Sequence, residues 1–194
     1  MINRAGYLYG IGAYLLWGAF PLFFALLTPV GPWEIVPWRV ITAVAFCLVA
    51  VTAVRAWPPL LRTLRSPRQL RWLALSAVLL YANWQVFVVG VVTGHVIETS
   101  LGYFINPIVT ILIGVVVRKE RLSPTQWTAV GIASAGVLVS AISYGQFPDI
   151  ALGLAFTFAL CGAVRKQASE DVDALTGLTV ETLLGSVLAV AQLW

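Results

Sequence analysis

The sequence predicts an all-α integral membrane protein, a multi-pass helical bundle of seven spans with its N-terminus in the cytoplasm. Three observations lead there. Of 194 residues, 60% are hydrophobic and 10% charged, with a mean hydropathy of +0.91, which leaves too little polar surface to enclose such a core in water. The apolar residues form continuous runs without alternation, as helices crossing lipid do and barrel strands do not. Eleven of the twelve Lys and Arg residues lie before the first run or in every second gap: Arg4, then Arg55, Arg62, Arg65, Arg68 and Arg71, then Arg118, Lys119 and Arg121, then Arg165 and Lys166. The alternate gaps (29–32, 93–95 and 144–149) contain none, so the positive-inside bias places the N-terminus inside.

Crossing a hydrocarbon core of about 30 Å takes roughly twenty helical residues. The first span, 5–28, has a positive flank but is long and followed by others, so it reads as retained and not as a cleaved signal. The second is 33–54, the third 72–92 and the fourth 96–117. The fifth, 124–143, opens with Ser123 as N-cap, Pro124 at the first helical position and Gln126 placed to complete a capping box. The sixth, 147–164, is short, and the seventh, 174–194, reaches the last residue without a polar tail, so the chain is expected to be C-terminally incomplete. Trp33, Trp57, Trp72, Trp127 and Trp194 lie near span ends, where an amphipathic ring suits the headgroup layer. The pairs Gly6 and Gly10, and Gly90 and Gly94, allow close helix contact.

An isoelectric point near 9.4 would suggest nucleic acid in a soluble chain. Here the basic residues flank spans and meet lipid headgroups, so the expected partner is the bilayer and not nucleic acid. Cys47 and Cys161 fall inside apolar runs, far apart, as small buried side chains do. No nucleophile with its base, no paired cysteines and no phosphate loop occurs, and Gly10-Ile11-Gly12 lacks the third glycine and the preceding strand of a dinucleotide fingerprint. An enzyme is not expected. His95 and Glu98 are three apart, too few ligands for a metal, and an acid in a first helical turn suits the helix dipole.

Polar residues at membrane depth are more informative, because a charge at a helix centre costs about 2.5 to 3.5 kcal/mol on insertion scales. Arg39, Asn83, Gln85, Glu98, Asn106 and Glu181 are the candidates. Arg39 lies about 9 Å below the outer face and Glu98 about one turn below it, depths compatible with a charge pair. The alternative is that each reaches the headgroups separately. Asn83, Gln85 and Asn106 lie near mid-span and are expected to line a cavity, or else to bond neighbouring helices. Pro107 and Pro21 are expected to break their helices by freeing the carbonyls of Tyr103 and Trp17, which are counted with the cavity residues.

The run Glu98-Thr99-Ser100-Leu101-Gly102-Tyr103-Phe104-Ile105-Asn106-Pro107 resembles the fourth-span signature of the RarD permeases, the chloramphenicol-sensitive RarD group of the EamA family in the drug/metabolite transporter superfamily. The resemblance continues through Gly18, Glu34, Arg39, Asn83-Trp84, Glu120-Arg121, Gln126-Trp127, Gly136-Val137-Leu138-Val139, 151–156, Val164-Arg165-Lys166 and Glu181-Thr182-Leu183. A departure is Arg118-Lys119 before Glu120, where the family usually has Leu-Gly.

The resemblance implies ten helices in two inverted five-helix repeats around a central cavity, with residues 1–143 as the first repeat and 144–194 as an incomplete second one. Trp17-Gly18-Ala19 and Cys161-Gly162-Ala163 are a faint echo between the two. It further implies secondary transport of a small metabolite or drug-like molecule across the bacterial inner membrane by alternating access, without a bound cofactor. The rivals are a helical fragment or subunit that needs a partner half or self-association, and a membrane-embedded enzyme. The substrate, direction and coupling ion are not legible.

Overall fold

The computed structural model describes residues 4–27, 30–145, 147–168 and 172–194. Thr28, the expected end of the first span, lies outside these, as do Pro29 and Gln146 in two of the uncharged gaps. Regular structure among the described residues is entirely helical: α1 (Arg4–Leu26), α2 (Pro32–Ala53), α3 (Trp57–Leu64), α4 (Pro67–Val92), α5 (Val96–Arg118), α6 (Pro124–Tyr144), α7 (Asp149–Ala168) and α8 (Ala174–Leu193). Helices α1, α2, α4, α5, α6 and α8 are long and apolar enough to cross a membrane. They coincide with six of the seven expected spans.

The remaining expected span is α7, which is 20 residues long but less apolar, with Asp149 in its first turn and Arg165 and Lys166 in its last. Its position accounts for the difference, because it packs between α4 and α5. Leu101, Ile105 and Val109 of α5 meet Ala151, Ala155 and Ala159 of α7, two rows that each present one helix face. A helix covered by protein needs less apolar surface than one facing lipid. At Gly102 an added Cβ would stand 2.9 Å from the Ala151 carbonyl oxygen and 2.9 Å from the Leu154 Cβ, so only glycine permits this approach.

A second core joins α2, α4, α7 and α8 through Val36, Val40, Val88, Leu154 and Ala189. By contrast α1 leans mainly on α4, and α6 mainly on α5. Half of the apolar stretch of α4 is buried against 6% in α1 and α6, so α4 is the centre and the other two are the periphery. The expected close contact at Gly6 and Gly10 is not formed, since open space surrounds both. Gly90, however, presses against Thr99 and Ile150.

Two further expectations are corrected, and one helix is found beyond the expected spans. The helices are not broken at Pro107 or Pro21: α5 and α1 run through them without interruption. Each proline removes one N–H, but the surrounding helical bonds have no water to compete with them in a membrane. The third span begins five residues early, at Pro67 and not Trp72, because a proline at a helix start is favourable although Arg68, Gln69 and Arg71 lower the local hydropathy. In addition, α3 lies in the basic gap between the second and third expected spans. Pro58 and Pro59 occupy its first turn, where their missing N–H groups cost nothing, and Leu60 is buried with Val51, Leu73 and Val180.

The capping box forms as expected, the Ser123 N–H donating to Gln126 Oε1 at 2.8 Å and the Gln126 N–H to Ser123 Oγ at 3.3 Å. Asp173 caps α8, its Oδ1 accepting from the Thr176 N–H at 3.0 Å.

Candidate functional site

Residues of six helices line a cavity of about 380 Å³. Ala13, Leu16, Trp17 and Phe20 reach it from α1, and Leu80, Asn83, Trp84 and Phe87 from α4. Both sets have the spacing of one helix face, so the two helices present matching stripes. The remaining wall is Arg39 of α2, Tyr103 of α5, Phe158 and Arg165 of α7, and Leu178 of α8. Tyr103 stands at the centre of an aromatic cluster, edge-to-face with Trp17 at 6.0 Å, Phe87 at 6.0 Å and Phe158 at 6.3 Å between centroids. Such pairs fix ring orientation and contribute roughly 0.5–1.5 kcal/mol each beyond area burial.

Of the residues expected to line a cavity, Trp17, Asn83 and Tyr103 do so. Asn83 also bonds a neighbouring helix, its Nδ2 donating to the Leu154 carbonyl at 3.1 Å and to Thr157 Oγ1 at 2.9 Å. The cavity and bonding alternatives therefore coincide in one side chain. Gln85 and Asn106 lie elsewhere. Gln85 Nε2 donates to the Pro32 carbonyl at 3.3 Å, and its Oε1 accepts from Gln192 Nε2 at 3.2 Å, a polar clasp between α2, α4 and α8. Asn106 Oδ1 accepts from Thr110 Oγ1 of its own helix at 3.4 Å. Pro107 and Pro21 are likewise absent from the cavity wall.

The expected charge pair is corrected: Arg39 and Glu98 do not meet. The Arg39 guanidinium carbon lies 4.6 Å from the Trp84 ring centroid, 5.5 Å from Phe20 and 5.9 Å from Phe24. Desolvated cation–π contacts are worth up to about 2 kcal/mol each, comparable together with the roughly 2.5–3.5 kcal/mol insertion cost of the charge. Glu98 is 2% exposed and turns to the start of α7. Its Oε1 accepts from the Ile150 N–H at 2.8 Å and the Ala151 N–H at 3.4 Å, and its Oε2 from the Tyr144 hydroxyl at 3.2 Å. The physical reason is that first-turn amides and the positive end of a helix dipole already complement the carboxylate. Depth along a span is legible in sequence, whereas the direction around the helix axis is not.

Sequence reasoning assigned Arg165 only a topological charge and left Glu181 without a partner. The structure joins them: Arg165 Nε donates to Glu181 Oε1 at 2.9 Å and Nη2 to Oε2, a two-pronged pair between α7 and α8. Ser76 of α4 donates to the same Oε1 at 2.6 Å, and Cys161 Sγ lies 3.3 Å from Ser76 Oγ. The Glu181 side chain is fully buried, while that of Arg165 is 46% exposed and reaches the cavity. The available signal was a basic residue closing one helix and an acid in the next.

This wall contains aromatic rings, one amide and two guanidinium groups, an arrangement suited to holding a molecule. The profile of the EamA-like transporter family matches residues 4–142. Protein RarD of Streptomyces exfoliatus is 45% identical over 190 residues, which is 96% of this chain and 60% of that protein. Protein RarD of Escherichia coli strain K12 is 43% identical over 181 residues, 93% of this chain and 60% of that one. Chloramphenicol-sensitive protein RarD of Pseudomonas aeruginosa is 32% identical, covering 100% of this chain and 65% of its own length. This chain thus spans about 60% of the length of the first two relatives. No solved structure matches it. With a multi-pass helical bundle and this extent of similarity, the chain belongs to the EamA-like transporter family.

Proposed function

We propose that this protein forms the substrate path of a secondary transporter, moving a small metabolite or drug-like molecule across the bacterial inner membrane by alternating access. The observation that carries this reading is the cavity of about 380 Å³, walled by six different helices and lined by Trp17, Asn83 and Tyr103. A site bounded by several helices can open on either side as they tilt, and intramembrane polar groups mark such paths. The proposed orientation has the N-terminus inside, with two inverted repeats divided near residue 143. A second reading, supported by the chain's coverage of about 60% of its relatives, is that transport requires a partner half.

The test is counterflow of a labelled metabolite library in proteoliposomes, with the chain alone and with the corresponding second half of a relative co-expressed. Uptake is expected to fall about tenfold or more in Tyr103→Ala, which removes the centre of the aromatic cluster. Uptake unchanged by this substitution in folded protein would remove the cavity from the path.

A further inference from the structure

We propose that the ligand of this cavity is an organic anion with a planar, aromatic or otherwise apolar body, its carboxylate held by Arg39. The assignment rests on reading the cavity as the substrate path. It starts from the charges on the wall. Two guanidinium groups, Arg39 and Arg165, line the cavity, and no carboxylate does among the described residues. Arg165 is neutralised by Glu181, whose two oxygens it engages. Arg39 has no such counter-ion: among the described residues, no carboxylate forms an ion pair with it, and Glu98 is turned to α7. The cavity therefore carries one uncompensated positive charge.

The way Arg39 is held suits a carboxylate. The rings of Trp84, Phe20 and Phe24 pack beside the guanidinium plane but leave its charge in place. The N–H donors lie in that plane, arranged in the fork that matches a carboxylate with two parallel bonds. This packing also restrains the side chain, so less freedom is lost when a ligand arrives. Removing a cation from water without a counter-ion is unfavourable, and an anionic ligand supplies the missing partner.

The rest of the wall defines the body of the molecule. Trp17, Tyr103 and Phe158 form an apolar aromatic surface beside the charge. A ring cluster alone would also suit an organic cation. Here Arg39 already lies over the Trp84 and Phe20 rings, and its charge repels a second cation.

The probes are benzoate, its neutral counterpart benzamide and its cationic counterpart benzylammonium. Calorimetric titration of the protein in phosphatidylcholine nanodiscs, which carry no net charge, measures all three at neutral pH. Benzoate is expected to bind about tenfold or more tightly than benzamide, and benzylammonium more weakly than either. Arg39→Gln is expected to erase the preference for benzoate, whereas Arg39→Lys retains part of it. Benzamide or benzylammonium binding as well as benzoate would overturn the proposal, as would binding of none of them. The comparison among ligands uses the unaltered protein, so it decides the question even where a variant does not fold. Selective benzoate binding without counterflow of any substrate would refute the transport reading and leave the anion site standing. Counterflow of neutral or cationic substrates without an anion preference would do the reverse.

Discussion

The two buried carboxylates at opposite ends of α7 are stabilised by different devices. Near its start, Glu98 accepts main-chain N–H groups of Ile150 and Ala151 together with the Tyr144 hydroxyl. Near its end, about 22 Å away at helical rise, Glu181 is held by Arg165 and Ser76. The first arrangement uses partial charges that exist wherever a helix begins, and the second requires a particular side chain. It follows that Glu98 tolerates loss of its charge better than Glu181 tolerates loss of its partner.

The sharpest way to break this comparison concerns which end faces outward. The charge pattern assigns the Glu98 end to the outside and the Arg165 end to the cytoplasm. A cysteine at Phe147, which is 76% exposed, should react fully with an impermeant thiol reagent added to intact cells, and one at Ser66 only after lysis. Native Cys47 and Cys161 are buried and give little background. The reverse labelling would exchange the two ends.

The next effect is on stability. Arg165→Ala leaves a buried carboxylate with only Ser76 against it, a loss expected at about 3 kcal/mol, reduced from the upper range because the arginine is partly exposed. Glu98→Gln keeps an acceptor oxygen for the α7 amides and should cost about 1 kcal/mol. Denaturation of the two variants in the same lipid or detergent would measure the difference, and equal losses would mean that the two devices are equivalent.

The smallest expected effect lies at the start of α8, where another carboxylate meets helix amides outside the membrane. Hydrogen bonding from Thr176 holds the Asp173 carboxyl below its usual range. Its contribution should therefore be present above the unfolded value of about 3.9 and disappear as pH falls through the lower folded value. Asp173→Ala should cost about 1 kcal/mol or less at neutral pH, since the side chain is exposed. The melting difference between variant and parent should close on acidification, and a difference that is independent of pH would mean that the cap does not act through its charge.

What the sequence made legible follows the same division between general and particular forces. The apolar runs located α1, α2, α4, α5, α6 and α8 because lipid imposes the same demand on every spanning helix. The Ser123 to Gln126 cap was legible because its chemistry is local. Helix α3 was not, because its formation relies on Leu60 finding Val51, Leu73 and Val180 across the fold. Site residues divided in the same manner. Asn83 and Tyr103 face the cavity while Gln85 and Asn106 do not, although all four occupy comparable depths. A rotation of 100° per residue separates these outcomes, and only tertiary packing fixes its starting angle.

The contact at Gly102 also has a mechanical consequence. With the Ala151 backbone and Leu154 pressed against a position that has no room for a methyl group, α5 and α7 interlock like teeth, and sliding one past the other would force atoms into collision. That seam is stiff. Compliance is instead concentrated along α1, which contributes Trp17 and Phe20 to the cavity yet shares little surface with the rest of the bundle, so this wall can yield while the opposite one keeps its shape.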